Sequence, residues 1–174
     1  LEDMATLRAL PNMRVLVPCD AAASGALTEL AYQTPGPVYL RLSRDVYPDL
    51  YPADQKFELG KGNIVKDGTD VTVIACGLLV HKALEAAEQM AARGVSVRVV
   101  DMYSIKPIDR ELILRCAQET GAIVTAEEHN IYGGLGSAVA EVLAGGGAAA
   151  PTEFVGIPDT FTETGKYTEL LAKY

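Results

Sequence analysis

The side chains with the clearest chemical potential lie in three places. Glu127, Glu128 and His129 are consecutive, and adjacent carboxylates beside an imidazole can trade protons near neutral pH. Neighbours leaving a strand point in different directions, so only one or two of them can face a common pocket. Carboxylates also collect at helix N-termini for electrostatic reasons alone. The trio is therefore read as lining an interface or a pocket rather than as an acid–base pair. Arg44 follows the apolar run Val38-Tyr39-Leu40-Arg41-Leu42 and Ser43. A guanidinium at a strand end can hold phosphate oxygens through paired donors, or it can form a salt bridge with Asp45 or Asp49; both readings stay open on residue chemistry. Gly133-Gly134-Leu135-Gly136 opens a helix after a strand. Its free N–H groups could cradle an anion, but the run matches neither GxGxxG nor the Walker pattern, and small residues equally let a helix pack close to a sheet. Packing is preferred there, and His81, alone within a helix, is assigned nothing.

These residues need elements to position them. Arg14 to Val17 reads as a short strand closed by Pro18, and Asp20 caps a helical run through Ala23, Leu27, Leu30 and Ala31. After Pro35-Gly36-Pro37, Val38–Leu42 reads as a second strand. This makes one βαβ piece, which cannot close a core by itself. Asp45 to Gln55 has no periodicity and reads as a linker, which places a boundary near Lys56. Gly62 to Lys66 then reads as an entry strand, with Asp67-Gly68 as a tight turn needing positive φ. Strands follow at Val71–Cys76, Val97–Val100, Ala122–Ala126 and Thr152–Val155. Helices follow at Val80–Ala91, after the cap Asp109, after Gly134, and at Lys166–Ala172. The alternation predicts an α/β fold, a three-layer domain over 56–174 with a mostly parallel sheet, preceded over 1–55 by a partial βαβ piece of a second α/β domain. Ligands and partners of such sheets meet the carboxyl ends of the strands, which here carry Gly77, Asp101, the Glu127–Asn130 run and Asp159.

Bulk properties narrow the function. With 174 residues, 49% of them hydrophobic and a formal net charge of −8, the chain is not built for nucleic acid or an anionic membrane surface. No apolar run approaches a membrane span. Cys19, Cys76 and Cys116 are odd in number, without CxxC or Cys/His metal spacing, and read as cytosolic thiols, two of them in the core. A cytoplasmic location is expected. The chain opens at Leu1 without an initiator Met, which reads as a fragment or a processed product.

Several of these stretches, taken in order, resemble one family. Leu1-Glu2-Asp3-Met4-Ala5 with Leu7-Arg8, Pro11-Asn12-Met13 and Pro18-Cys19-Asp20 resembles the closing portion of the pyrimidine-binding domain of transketolases. Tyr39-Leu40-Arg41-Leu42-Ser43-Arg44 resembles the strand of that domain whose last arginine helps bind the substrate phosphate. Gly60-Lys61-Gly62, Asp70 to Gly77, Ile105 to Asp109, Glu127 to Asn130 with Gly133 to Gly136, and Thr164-Gly165-Lys166 continue the match into the transketolase C-terminal domain.

The resemblance implies two-carbon ketol transfer between sugar phosphates in the pentose phosphate pathway, run on thiamine diphosphate and a divalent metal, magnesium, at a site between subunits of a dimer. It implies no catalytic, cofactor-binding or metal residue in this chain: the diphosphate domain and the activating glutamate of the pyrimidine domain are missing. Only Arg44 is carried over, as a substrate phosphate residue. The expected partners are an N-terminal transketolase section or subunit, a homodimer partner and sugar phosphates, and the chain alone is expected to be inactive and to bind no cofactor. Competing readings are the β subunit of a 2-oxo acid dehydrogenase E1 component, a 1-deoxyxylulose-5-phosphate synthase, and, from another class, a non-catalytic assembly or regulatory domain.

Overall fold

The computed structural model describes residues 1–174. The first piece comprises helix α1 (Asp3–Ala9), strand β1 (Arg14–Leu16), helix α2 (Ala21–Gln33) and strand β2 (Val38–Leu40). Asp20 starts α2 because its carboxylate accepts from the Ala23 N–H at 2.7 Å. β1 and β2 pair in parallel. β2 ends two residues earlier than the sequence predicts, so Ser43 and Arg44 stand on the loop beyond it.

The second piece contains β3 (Asn63–Lys66), β4 (Val71–Ala75), α3 (Leu79–Ala91), β5 (Val97–Asp101), β6 (Ser104–Lys106), α4 (Arg110–Glu119), β7 (Ile123–Asn130), α5 (Leu135–Gly146), β8 (Thr152–Ile157) and α6 (Tyr167–Lys173). Five strands form one sheet in the order β3-β5-β4-β7-β8. The pairs β5–β4, β4–β7 and β7–β8 are parallel, and β3 is an antiparallel edge. Continuous apolar runs such as Val71–Ala75 belong in this sheet because helices cover it and no solvent face asks for alternation. No helix is long and apolar enough to cross a membrane.

Two local expectations are corrected. β3 does not fold back on β4 through a tight turn; β5 lies between them. Gly68 accordingly lacks a positive φ. A glycine is needed there because a Cβ would run into the backbone of Val97 and Arg98.

The βαβ piece is not left open. β6, which follows β5 in the chain, pairs antiparallel with β1 and completes a three-stranded sheet β2-β1-β6. The largest core cluster is likewise shared: Met4, Val15 and Val17 pack with Ile74, Val100, Ile113, Leu135 and Val139. The unperiodic segment over 45–55 is also held. Asp20 Oδ2 accepts from the N–H groups of Leu50 (2.7 Å) and Tyr51 (2.9 Å), and Phe57 packs edge-on between Tyr51 and Tyr103, with ring centroids 5.0 and 4.8 Å away.

Candidate functional site

β7 carries Glu127, Glu128 and His129 on alternating faces, so the trio divides. Glu127 is 3% exposed, and its two carboxylate oxygens accept from the N–H groups of Leu135 (2.7 Å) and Gly136 (2.8 Å), the first turn of α5. The anion that the glycine-rich helix start could hold is thus supplied from within the chain. The glycines are explained by the same contact: a Cβ at Gly134 would collide with the Glu127 carboxylate, and one at Gly136 with the ring of Phe154 and with Thr125. Burial lifts the Glu127 carboxyl above the ordinary glutamate range, opposed by those two N–H donors.

His129 is fully buried. Its Nδ1 lies 2.7 Å from the Asn130 carbonyl oxygen, and its Nε2 accepts from the Ala5 N–H at 3.4 Å. These partners assign a neutral ring with the proton on Nδ1. Both nitrogens are engaged, Nε2 tying β7 to α1 and Nδ1 meeting the neighbouring carbonyl on β7 itself, and the Glu127 carboxylate stands 3.6 Å from Nδ1. Glu127 and His129 do not line the cleft around Arg44.

Glu128 faces the other way. It lines a cleft of about 330 Å³ together with Asp3, Arg41, Ser43, Arg44 and Tyr167. The cleft lies where the two pieces of the chain meet, between the end of β2, α1, β7 and α6. Arg44 is exposed there and makes no ion pair with Asp45, Asp49 or any other carboxylate. Its guanidinium is free to receive an anion.

Arg41, which the sequence reading passes over as a site residue, organises the cleft wall. Its Nε donates to Asp3 Oδ2 at 2.7 Å and its Nη2 to the Glu128 carbonyl at 3.0 Å, while the Tyr39 hydroxyl donates to the same Asp3 oxygen at 2.9 Å. The bond pattern joins β2, α1 and β7. Against the cost of partial burial, the Arg41 guanidinium and the Tyr39 hydroxyl hold the Asp3 carboxyl below its usual value. Burial raises Glu128, with Arg41 opposing. A spacing signal existed: Arg41 and Arg44 are three residues apart at the end of an apolar run.

A second cluster sits under the loop over 45–55. Asp101, the last residue of β5, is fully buried, and its Oδ2 accepts from the Tyr51 hydroxyl at 2.8 Å and from the Cys19 thiol at 3.4 Å. Its Oδ1 has no partner. Burial pushes the Asp101 carboxyl up to about 7 despite the two donors, and nearby Asp20 adds to the rise. An aspartate closing a valine-rich strand was the visible signal. His81 is structural: its Nε2 meets the Cys19 carbonyl at 2.8 Å and its ring stacks on Tyr47 with centroids 5.4 Å apart. Asp159 lies in the exposed loop after β8.

Known proteins resemble this chain along its whole length. The transketolase C-terminal domain model matches residues 60–174, and the transketolase pyrimidine-binding domain model matches residues 1–49. The chain belongs to the transketolase family. An apulose-4-phosphate transketolase subunit of Phocaeicola vulgatus is 43% identical over 175 residues, covering 100% of this chain and 55% of that protein. A 6-deoxy-6-sulfo-D-fructose transketolase subunit of Clostridium sp. (strain MSTE9) is 40% identical over 174 residues, covering 100% of this chain and 54% of that protein. A solved split-gene transketolase, described as an inactive β4 tetramer, superposes with a TM-score of 0.96 at 51% identity, covering 99% of this chain and 56% of that one. The chain spans about half the length of the curated relatives it matches. Both of these relatives are named as transketolase subunits, and the mixed α/β fold of this chain matches that of the solved split-gene transketolase.

Relatives in the transketolase family imply the use of thiamine diphosphate. No group of three or more His, Cys, Asp or Glu side chains could hold a metal ion.

Proposed function

We propose that this chain is the C-terminal section, or subunit, of a thiamine-diphosphate-dependent transketolase that moves a two-carbon ketol unit between sugar phosphates, and that it works only when joined to an N-terminal section. The observation that carries the reading is the free Arg44 guanidinium in a cleft between the two pieces of the chain. A guanidinium presents paired N–H donors that match phosphate oxygens, and it stays charged at every physiological pH. Matches along the whole chain to proteins named as transketolase subunits support the reaction class. On this reading the cofactor and its magnesium belong to the N-terminal section, the division between pyrimidine-binding remnant and C-terminal domain falls near Lys56, and the assembled pair dimerises. The three buried, unbridged cysteines are compatible with a reducing cytoplasm.

The test is reconstitution. This chain mixed with its N-terminal section should transfer a ketol unit from xylulose 5-phosphate to ribose 5-phosphate, and the chain alone should not. Arg44→Ala in the assembled enzyme should raise KM for phosphorylated acceptors by about tenfold or more, since hydrogen bonds to charged groups contribute roughly 1.5–3 kcal/mol. KM for unphosphorylated acceptors should stay within about twofold. Turnover of pyruvate in place of the sugar donor, or equal effects on both acceptor types, would reject the assignment.

A further inference from the structure

The cleft around Arg44 holds more than an anion clamp requires. Tyr167, from α6 at the far end of the sequence, lines the cleft, and its buried hydroxyl oxygen lies beside Tyr47 and Glu128 without a well-formed hydrogen bond to either. Burial raises its hydroxyl well above the ordinary tyrosine value, and the neighbouring Tyr47 and Glu128 add to the rise, so it is a protonated phenol across the physiological range. A buried phenol held only loosely by its neighbours can turn to a better partner offered by a ligand in the cleft. Glu128 lines the same cleft, half-buried, and like Arg44 it takes part in no ion pair. Three polar groups, one cationic, one anionic and one neutral, therefore share a single cavity.

A cavity of about 330 Å³ is at the lower end of the range for small-molecule sites, roughly 300–1,000 Å³, and is larger than one phosphate group needs. Its charge is also divided. An anionic head is favoured only beside Arg44, because Glu128 and Asp3 repel it elsewhere. The Glu128 carboxylate is an acceptor and the Tyr167 hydroxyl both donates and accepts, which suits neutral sugar hydroxyls. Arg41 fixes the separation of the two ends, since its bonds to Asp3 and to the Glu128 carbonyl lock β7 against β2.

We propose that Glu128 and Tyr167 are specificity-determining residues of this cleft: they hydrogen-bond the hydroxyl groups of a sugar whose anionic end, phosphate or sulfonate, is held by Arg44. The inference rests on the transketolase reading and deepens it, because it gives the C-terminal unit a part in choosing the substrate beyond assembly.

The experiment uses the complete enzyme, this chain with its N-terminal section, and the variants Tyr167→Phe and Glu128→Gln. Acceptors are a series of aldose phosphates, one fully hydroxylated and the others each lacking one hydroxyl. For the fully hydroxylated acceptor, each variant should raise KM by about three- to tenfold, the range of one hydrogen bond, with kcat within about twofold. For at least one deoxy acceptor the penalty should vanish. Competitive inhibition by inorganic phosphate should be unchanged in both variants, whereas Arg44→Ala should weaken it. KM unchanged in both variants, the same penalty for every acceptor, or weakened phosphate inhibition would each overturn the proposal. If the wild-type pair transfers no ketol unit between any sugar phosphates, the transketolase reading falls and takes this one with it. If the pair transfers normally while the variants behave as wild type, only the role of Glu128 and Tyr167 falls.

Discussion

Replacing Asp101 with Asn should flatten the dependence of stability on pH. Asp101 is fully buried at the junction of β5, the loop over 45–55 and the start of α2, where Tyr51, Cys19 and Asp20 face it. Its carboxyl sits at about 7 in the folded chain, against roughly 3.9 in an unfolded one. The folded state therefore binds the proton more tightly, and between those values the unfolded chain is ionised while the folded chain is not. Stability is greatest at low pH and falls as pH rises toward 7, with nothing further lost above it. From pH 5 to pH 8 the active window spans about two units, or about 2–3 kcal/mol at roughly 1.36 kcal/mol per unit. Asn keeps an oxygen for the Tyr51 and Cys19 donors but places an NH2 where Asp101 Oδ1 has no partner, a cost of about 1–3 kcal/mol that does not vary with pH. The readout is therefore a slope. Urea unfolding at half-unit steps from pH 5 to 8 should give a wild-type curve that falls about 2–3 kcal/mol further than that of Asp101→Asn. Glu127 and Glu128, also raised by burial, contribute equally to both curves and cancel. Curves that run parallel to within about 0.5 kcal/mol would refute the argument.

Glu127→Ala should lower stability by on the order of 2–5 kcal/mol in urea titrations, because the buried N–H groups of Leu135 and Gly136 lose their acceptor; Glu127→Gln, which keeps one oxygen, should lose less. Two glycine substitutions should go in opposite directions in thermal melts. Gly136→Ala drives a methyl group into Phe154 and Thr125 and should cost about 1–3 kcal/mol, while Gly25→Ala, inside α2 with nothing within 4 Å of the new Cβ, should gain about 0.5–1 kcal/mol.

Most strands and helices of the sheet β3-β5-β4-β7-β8 were legible because their signals are local. Apolar runs mark strands covered on both faces, and Asp20 and Asp109 mark helix starts, each accepting from an N–H three residues on. What escaped was decided by distant partners. β6 is three residues long and rich in polar atoms, so no period reveals it; it exists because β1 needs an edge. β7 runs to Asn130, four residues past the last apolar one, because Glu127 and His129 find buried N–H donors on α5 and α1. A polar residue ends a strand only when nothing inside can satisfy it. At the cleft, the position of Arg44 beyond an apolar run was visible in the sequence, whereas the bonds of Arg41 were not, since its partners Asp3 and Glu128 lie 38 and 87 positions away.

The strand exchange at β1 has a mechanical consequence. β1 is bounded on one side by β2 and on the other by β6, so flexing one half of the molecule against the other would require shearing backbone hydrogen bonds in mid-sheet. The β2 and β7 walls of the cleft around Arg44 are thereby held in one hydrogen-bonded framework with the rest of the chain, with Arg41 bonding across from the end of β2 to β7.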